Sequence, residues 1–310
     1  MKFCLIDAGI FVEKPELLDP LKELGEVEVY SGVPETVEEV VSRGKDADVI
    51  AFALMQFTNE MLDKLPNLKI LQFIGTGVSN FVDMEYAASK GIKVLNIEGY
   101  GSNAVAEFGV AMAFALARNI KPGMKVISAE SWDQNGLMGK EIQGSTVGVI
   151  GTGSIGRFVA EKYHNLGANV IACDIFESDY LKDKYGIKYV SMEEVFKEAD
   201  IVSLHMKVTK ENERGIDKKF FDTMKPGALL INVARAELVN TDDLYDALVS
   251  GKLAGAAVDV FDSEPPGEKD LKLAALDNVI ATPHIGFYTE QANDNSIRMS
   301  VDSIVKTLEK

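Results

Sequence analysis

An apolar run that stops on a glycine-rich turn is the strongest constraint in this chain: Thr146-Val-Gly-Val-Ile-Gly-Thr-Gly-Ser-Ile-Gly-Arg157, followed at once by a helical pattern. In a strand–turn–helix unit, Gly151 permits the tight turn. Gly153 lets the backbone approach an anion, and Gly156 lets the helix pack close while its N terminus faces that anion. The spacing suits a pyrophosphate, with Ser154 and Ile155 completing the cradle. The next apolar run, Asn169-Val-Ile-Ala-Cys-Asp174, ends in an acid. A carboxylate there accepts both ribose hydroxyls and repels a 2′-phosphate, which favours NAD over NADP.

The rest of the chain must supply a sheet for this turn. Short apolar runs alternate with helix-length segments at Lys2–Asp7, Glu26–Tyr30, Asp48–Leu54, Leu68–Gly75 and Ile92–Ile97. After a helix expected over Asn103–Ile120, six more runs follow at Thr146–Ile150, Asn169–Asp174, Ile201–His205, Ala228–Val233, Ala256–Phe261 and Val279–Ala281. Such alternation predicts two α/β units with parallel sheets, and a ligand-binding crevice where they meet. A length of 310 residues agrees with two domains.

Composition narrows the partners. A net charge of −16 with no long basic run argues against nucleic acid, and an anionic ligand would need a local arginine against that background. The stretch Ala104–Ile120 carries Glu107 and Arg118, so it reads as a core helix and no membrane span is expected. The opening residues do not resemble a signal peptide, and a cytoplasmic location is expected. Cys4 and Cys173 lie inside strand-like runs, so neither a disulfide framework nor a metal site is expected.

Three later runs end in useful side chains: Arg235 after Gly227–Val233, Glu264 after Gly255–Phe261, and His284 after Val279–Thr282. All strand carboxyl ends of a parallel sheet share one edge, so these groups can converge there. An arginine can hold a substrate carboxylate, a protonated histidine can give its proton to a carbonyl oxygen, and a glutamate can orient the imidazole. Of the other two histidines, His164 lies at the far end of a helix and reads as structural. His205 ends a strand on the cofactor side, without an acid partner.

Assembled in order, these segments resemble the D-isomer-specific 2-hydroxyacid dehydrogenase family over nearly the whole chain. Gly75-Thr-Gly-Val-Ser-Asn80, Asn103-Ala-Val-Ala-Glu107, Ala199–His205, Met224–Ala228, Asn232-Val-Ala-Arg235, Val258–Phe261 and Thr282–Gly286 carry the likeness, with the Gly151 loop and Asp174. The resemblance implies Arg235, Glu264 and His284 as the catalytic set, Asp259 beside the nicotinamide amide, and Gly77 and Val78 as a second holder of the substrate carboxylate. It puts His205, Met206, Asn212, Val233 and Ala234 on the cofactor side. It implies a Rossmann NAD-binding domain over residues 100–285, and a flavodoxin-like substrate domain from residues 1–99 and 286–310. It also implies a homodimer acting on a small 2-oxo or 2-hydroxy acid.

Tyr100, Asn212 and Phe287-Tyr-Thr289 look most like the D-lactate dehydrogenase branch, with Tyr100 and Phe287 lining the pocket for the substrate side chain. The loop Met55-Gln-Phe57 offers no cation for a substrate phosphate, which weighs against a phosphoglycerate-type substrate. The intact Arg, Glu and His set weighs against a corepressor-like dinucleotide sensor, and Glu264 stands where formate dehydrogenase has an amide. The chain departs from the family pattern at Ala236-Glu237, Lys207, Glu98 and Ser79; Glu237 would bring an extra acid near Arg235. The regulatory extension of some phosphoglycerate dehydrogenases is expected to be absent.

Overall fold

The computed structural model describes residues 1–309. The chain divides into two compact units, one of Met1–Gly101 with the segment from Tyr288 onward, the other of Ser102–Phe287. In the first unit, β1 (Lys2–Leu5), β2 (Glu26–Val29), β3 (Val49–Phe52), β4 (Ile70–Phe73) and β5 (Lys93–Leu95) form one sheet. All pairs are parallel, in the order β2-β1-β3-β4-β5. β3 and β4 are buried at every position, because an inner parallel strand is covered on both faces, whereas edge strand β2 is mostly exposed.

One face of this sheet packs Ile6, Val40, Ile50, Phe52 and Leu71. The other packs Phe3, Leu5, Val49 and Ile70 against Ile297, Val301 and Ile304 of the helix Glu290–Leu308. These three helix residues recur every three or four positions, the spacing of one helical stripe. Each buried aliphatic side chain contributes about 1.5–3 kcal/mol of transfer free energy.

The second unit holds β6 (Thr146–Ile150), β7 (Asn169–Cys173), β8 (Lys188–Tyr189), β9 (Ile201–Leu204), β10 (Ala228–Asn232), β11 (Leu253–Val258) and β12 (Val279–Ala281). All run parallel, in the order β12-β11-β10-β9-β6-β7-β8. The chain doubles back beside β6, and ligands bind at the carboxyl edge of such a switch point. Register makes that edge level: Cys173 and Leu204 flank Ile150, Leu204 pairs Asn232, Asn232 pairs Val258, and Val258 pairs Ala281. Residues just past these positions therefore leave the sheet in one row.

Two features differ from the sequence expectation. The second sheet has seven strands rather than six, because β8 is a two-residue edge strand held by Ile171–Lys188 and Ala172–Tyr189 pairing, too short to leave an apolar run. The helix expected over Asn103–Ile120 ends at Ala117. Asn119 adopts a left-handed conformation (φ 52°), and a second helix, Ile120–Ser128, begins beyond it. Asparagine tolerates that conformation better than most residues, and so it can end a helix inside an apolar stretch.

Candidate active site

The glycine loop is built for close approach. Gly151 has φ +88°, and a Cβ there would lie 2.6 Å from the backbone of His205 and Met206. A Cβ at Gly156 would lie 1.8 Å from the Gly151 carbonyl oxygen, so the helix Ser154–Asn165 can start where it does only with glycine. Gly153 differs: a Cβ would meet nothing within 4 Å, and the helix N terminus has no side-chain cap. Uncapped amides facing open space fit an anion such as a dinucleotide pyrophosphate.

At the exit of β7, Asp174 is anchored rather than mobile. Its Oδ2 accepts from the amide and the hydroxyl of Thr152, and its Oδ1 from the Phe176 amide at 3.0 Å. His205, at the exit of β9, joins Ser203 Oγ through Nε2 at 2.8 Å, while Nδ1 is buried with no partner. Burial of the ring pushes its pKa down to about 3. A neutral, inward-facing imidazole is no general acid at ordinary pH. Met206 packs on the adjoining core, and Val233 is itself buried, with Ala234 partly so, at the exit of β10. Asn212 stitches its own loop, accepting from the Thr209 amide (2.7 Å) and donating to the Lys207 carbonyl (2.8 Å).

Arg235 follows β10 and is exposed. The buried Asn232 shapes its turn, donating to the Arg235 carbonyl (2.9 Å) and accepting from the Ala234 amide (3.1 Å). One Arg235 Nη1 donates to the Ala234 carbonyl at 2.7 Å, leaving most of the fork for an anion. Glu237 also bears on Arg214. Its carbonyl accepts from the Arg214 amide (2.7 Å), and its charge helps to raise the pKa of Arg214, whose main partner is Asp262.

His284 and Glu264 meet directly, with Nδ1 2.8 Å from Oε2 and about two-fifths of each side chain exposed. Burial alone would raise the Glu264 pKa. The hydrogen bond and charge of His284, the Phe261 amide and the Arg235 charge instead hold it below the usual value. His284 has φ +54°, a left-handed backbone that a histidine rarely adopts. Asp259 holds that turn in place, accepting from Thr282 Oγ1 and the Ile285 amide (3.0 Å) on Oδ1, and from the Gly286 amide (2.7 Å) on Oδ2. The Phe287 ring stands edge-on to the imidazole, with centroids 6.2 Å apart.

The family resemblance implies a place beside the nicotinamide for Asp259; its hold on the His284 turn shows only in three dimensions. Asn232, Thr152 and Tyr189, whose hydroxyl lies 2.8 Å from Thr152 Oγ1, have no role in the sequence reading. Nothing but the strand-exit position of Asn232 and the place of Thr152 inside the glycine loop could have marked them.

In the first unit, Gly77 precedes the short 3-10 turn Val78–Asn80 without a side-chain cap. Tyr100 packs on the core beside the helix Glu290–Leu308. The buried carboxylate of Asp7 accepts from the amides of Ala53 (2.8 Å), Leu54 (2.8 Å) and Met55 (2.9 Å), and so sets the course of the loop into Gln56 and Phe57. Among the described residues, no cluster of His, Cys, Asp and Glu could hold a metal ion, and no helix is long and apolar enough to cross a membrane.

Comparison with known proteins adds a family. Residues 110–286 match the family model described as D-isomer specific 2-hydroxyacid dehydrogenase, NAD binding domain. The chain is 34% identical over 300 residues to the hydroxypyruvate reductase of Thermotoga maritima, covering 96% of this chain and 94% of that protein. It is 37% identical over 290 residues to the D-3-phosphoglycerate dehydrogenase of Methanocaldococcus jannaschii, covering 93% of this chain and 54% of the relative, so it spans about half that relative's length. The D-lactate dehydrogenase of Aquifex aeolicus, solved with NAD and lactic acid, superposes with a TM-score of 0.81 at 31% identity, covering 100% of this chain and 96% of that one. With a family model matching more than half its length and full-length likeness to such relatives, the chain belongs to the D-isomer specific 2-hydroxyacid dehydrogenase family.

Proposed function

We propose that the chain is an NAD-dependent dehydrogenase that reduces a 2-oxo acid to the D-2-hydroxy acid, with D-lactate or a bulkier apolar analogue as product. The observation that carries this reading is the 2.8 Å His284–Glu264 pair, set on the same sheet edge as the uncapped glycine cradle. When bound, the nicotinamide supplies or receives the hydride. Glu264 occupies the Nδ1 side of His284, which leaves Nε2 to deliver a proton to the substrate oxygen and to take it back in reverse. Arg235 holds the substrate carboxylate with its remaining donors and polarises the adjacent carbonyl. Gly151, Gly153, Ser154, Ile155, Gly156 and Asp174 hold the dinucleotide. Substrate roles for Gly77, Val78, Tyr100 and Phe287, and a nicotinamide contact for Asp259, are part of the same proposal.

An apolar substrate side chain is supported by the Met55-Gln-Phe57 loop, which carries no cation, and by the Phe287 ring beside His284. Likeness to a hydroxypyruvate reductase and a phosphoglycerate dehydrogenase makes their substrates the competing arm. Purified protein with NADH and a panel of pyruvate, 2-oxoisocaproate, phenylpyruvate, hydroxypyruvate and phosphohydroxypyruvate separates them. NADH oxidation is expected, fastest with an apolar 2-oxo acid; none with any member would refute the activity, and preference for a polar one would reassign the substrate.

A cytoplasmic homodimer completes the reading. Both cysteines are unpaired, as in a reducing compartment. Ile120, Met124 and Ile127 form an exposed stripe on one helix, with exposed Trp132 and Met138 following, and an exposed apolar stripe of this kind suits a subunit contact. Light scattering on the purified protein should give twice the chain mass.

A further inference from the structure

The hydroxyl of Tyr189, on edge strand β8, belongs to a chain of hydrogen bonds that ends on the carboxylate at the exit of β7. The Ser178 amide donates to Tyr189 Oη at 3.0 Å, Tyr189 Oη donates to Thr152 Oγ1 at 2.8 Å, and Thr152 Oγ1 donates to Asp174 Oδ2 at 3.1 Å. The direction is set at both ends, since an amide can only donate and a carboxylate only accept. Tyr189 must therefore give its proton to Thr152, and Thr152 must give its own to Asp174. With the amides of Thr152 and Phe176 also on the carboxylate, three of its roughly four lone-pair sites are taken. The open site is on Oδ1, the oxygen with a single donor, so the carboxylate has room for one ribose hydroxyl rather than the two expected from the sequence.

We propose that Tyr189 is a positioning residue for dinucleotide selection. It commits the Thr152 hydroxyl to Asp174, so the carboxylate offers one fixed acceptor to the ribose and turns its full charge against a 2′-phosphate. Thr152 lies between the two glycines of the phosphate loop and is 7% exposed, so its hydroxyl has little other company. Without Tyr189 Oη, that hydroxyl is free to turn and donate to a phosphate instead. This inference rests on the NAD reading above and adds the residue that enforces it.

The test is cofactor binding without substrate, by fluorescence titration of the full chain with NADH and with NADPH, alongside thermal melting to establish folding. Tyr189→Phe keeps the ring and removes the hydroxyl. NADH should bind roughly fivefold more weakly, the loss expected for one hydrogen bond, while NADPH binding holds or tightens. The NADH-to-NADPH affinity ratio then falls at least that much. Thr152→Val, which removes the bond to Asp174 together with any donor to a phosphate, should lower the ratio through weaker NADH binding alone, with no gain for NADPH, and Thr152→Ser, which keeps a hydroxyl, should keep the wild-type ratio. A folded Tyr189→Phe protein with an unchanged ratio, or one that loses both cofactors equally, would overturn the proposal. If Tyr189→Phe does not fold, the Val and Ser variants decide the matter by the same ratio. Wild-type protein that binds neither cofactor would sink the NAD reading itself, and this inference with it.

Discussion

Two strands of one sheet deliver a histidine to the same edge, and the two histidines differ in almost everything else. His205, leaving β9, turns its ring inward onto Ser203, keeps one nitrogen buried without a partner, and stays neutral. His284, beyond β12, is held by its turn in a left-handed backbone, faces outward, and rests on a carboxylate. Strand order decides where a side chain leaves the sheet. What it meets in the next few residues decides whether it can move a proton.

That contrast can be broken most severely at His284. His284→Ala should lower kcat by about 10²–10⁴-fold, the usual worth of a general acid, with NADH binding retained in a fluorescence titration. Asp259→Ala should come next, because it strands the Thr282 hydroxyl and the Ile285 and Gly286 amides; about 2–4 kcal/mol of stability should be lost in chemical denaturation, with at least a tenfold drop in kcat as the His284 turn relaxes.

Glu264→Gln keeps a hydrogen-bonding group and removes the charge, for an expected kcat loss of roughly tenfold to a hundredfold. The fold holds Glu264 below its ordinary pKa, so its charge contributes stability above the usual carboxylate range and loses it as pH falls through that range. Both partners are well exposed, so this difference between wild type and variant in a pH series of melts should be small.

His205→Gln should move kcat least, within about threefold, and leave the pH profile of kcat unchanged. Its mark should appear in stability. A histidine whose native pKa is lowered from 6.5 to about 3 favours folding above pH 6.5 and loses that contribution as pH falls toward 3. Wild-type stability should therefore decline with a slope of up to about 1.4 kcal/mol per pH unit in that window, and the variant should lack that slope. A titrating His205 near neutrality would erase the contrast.

Much of this arrangement can be read in the chain because strand ends are local signals. The apolar runs are legible, the glycines at 151, 153 and 156 mark a turn, and parallel strands bring Arg235, Glu264 and His284 to one edge. What escapes is long-range or small. β8 is two residues at a sheet edge, with no apolar run to announce it. The helix break at Asn119 sits inside a stretch whose hydrophobicity continues on both sides. The grip of Asp259 on residues 282–286, and the path from Tyr189 to Asp174, depend on side chains that meet only after the sheet has closed.

The helix Glu290–Leu308 places Ile297, Val301 and Ile304 in the core of the first unit, although the whole second unit is synthesised in between. On the ribosome the order of completion is therefore inverted. The glycine-loop sheet has all its strands while the unit begun first still lacks one wall of its core, so the packing around Phe3, Leu5 and Ile70 is completed only when that helix is made.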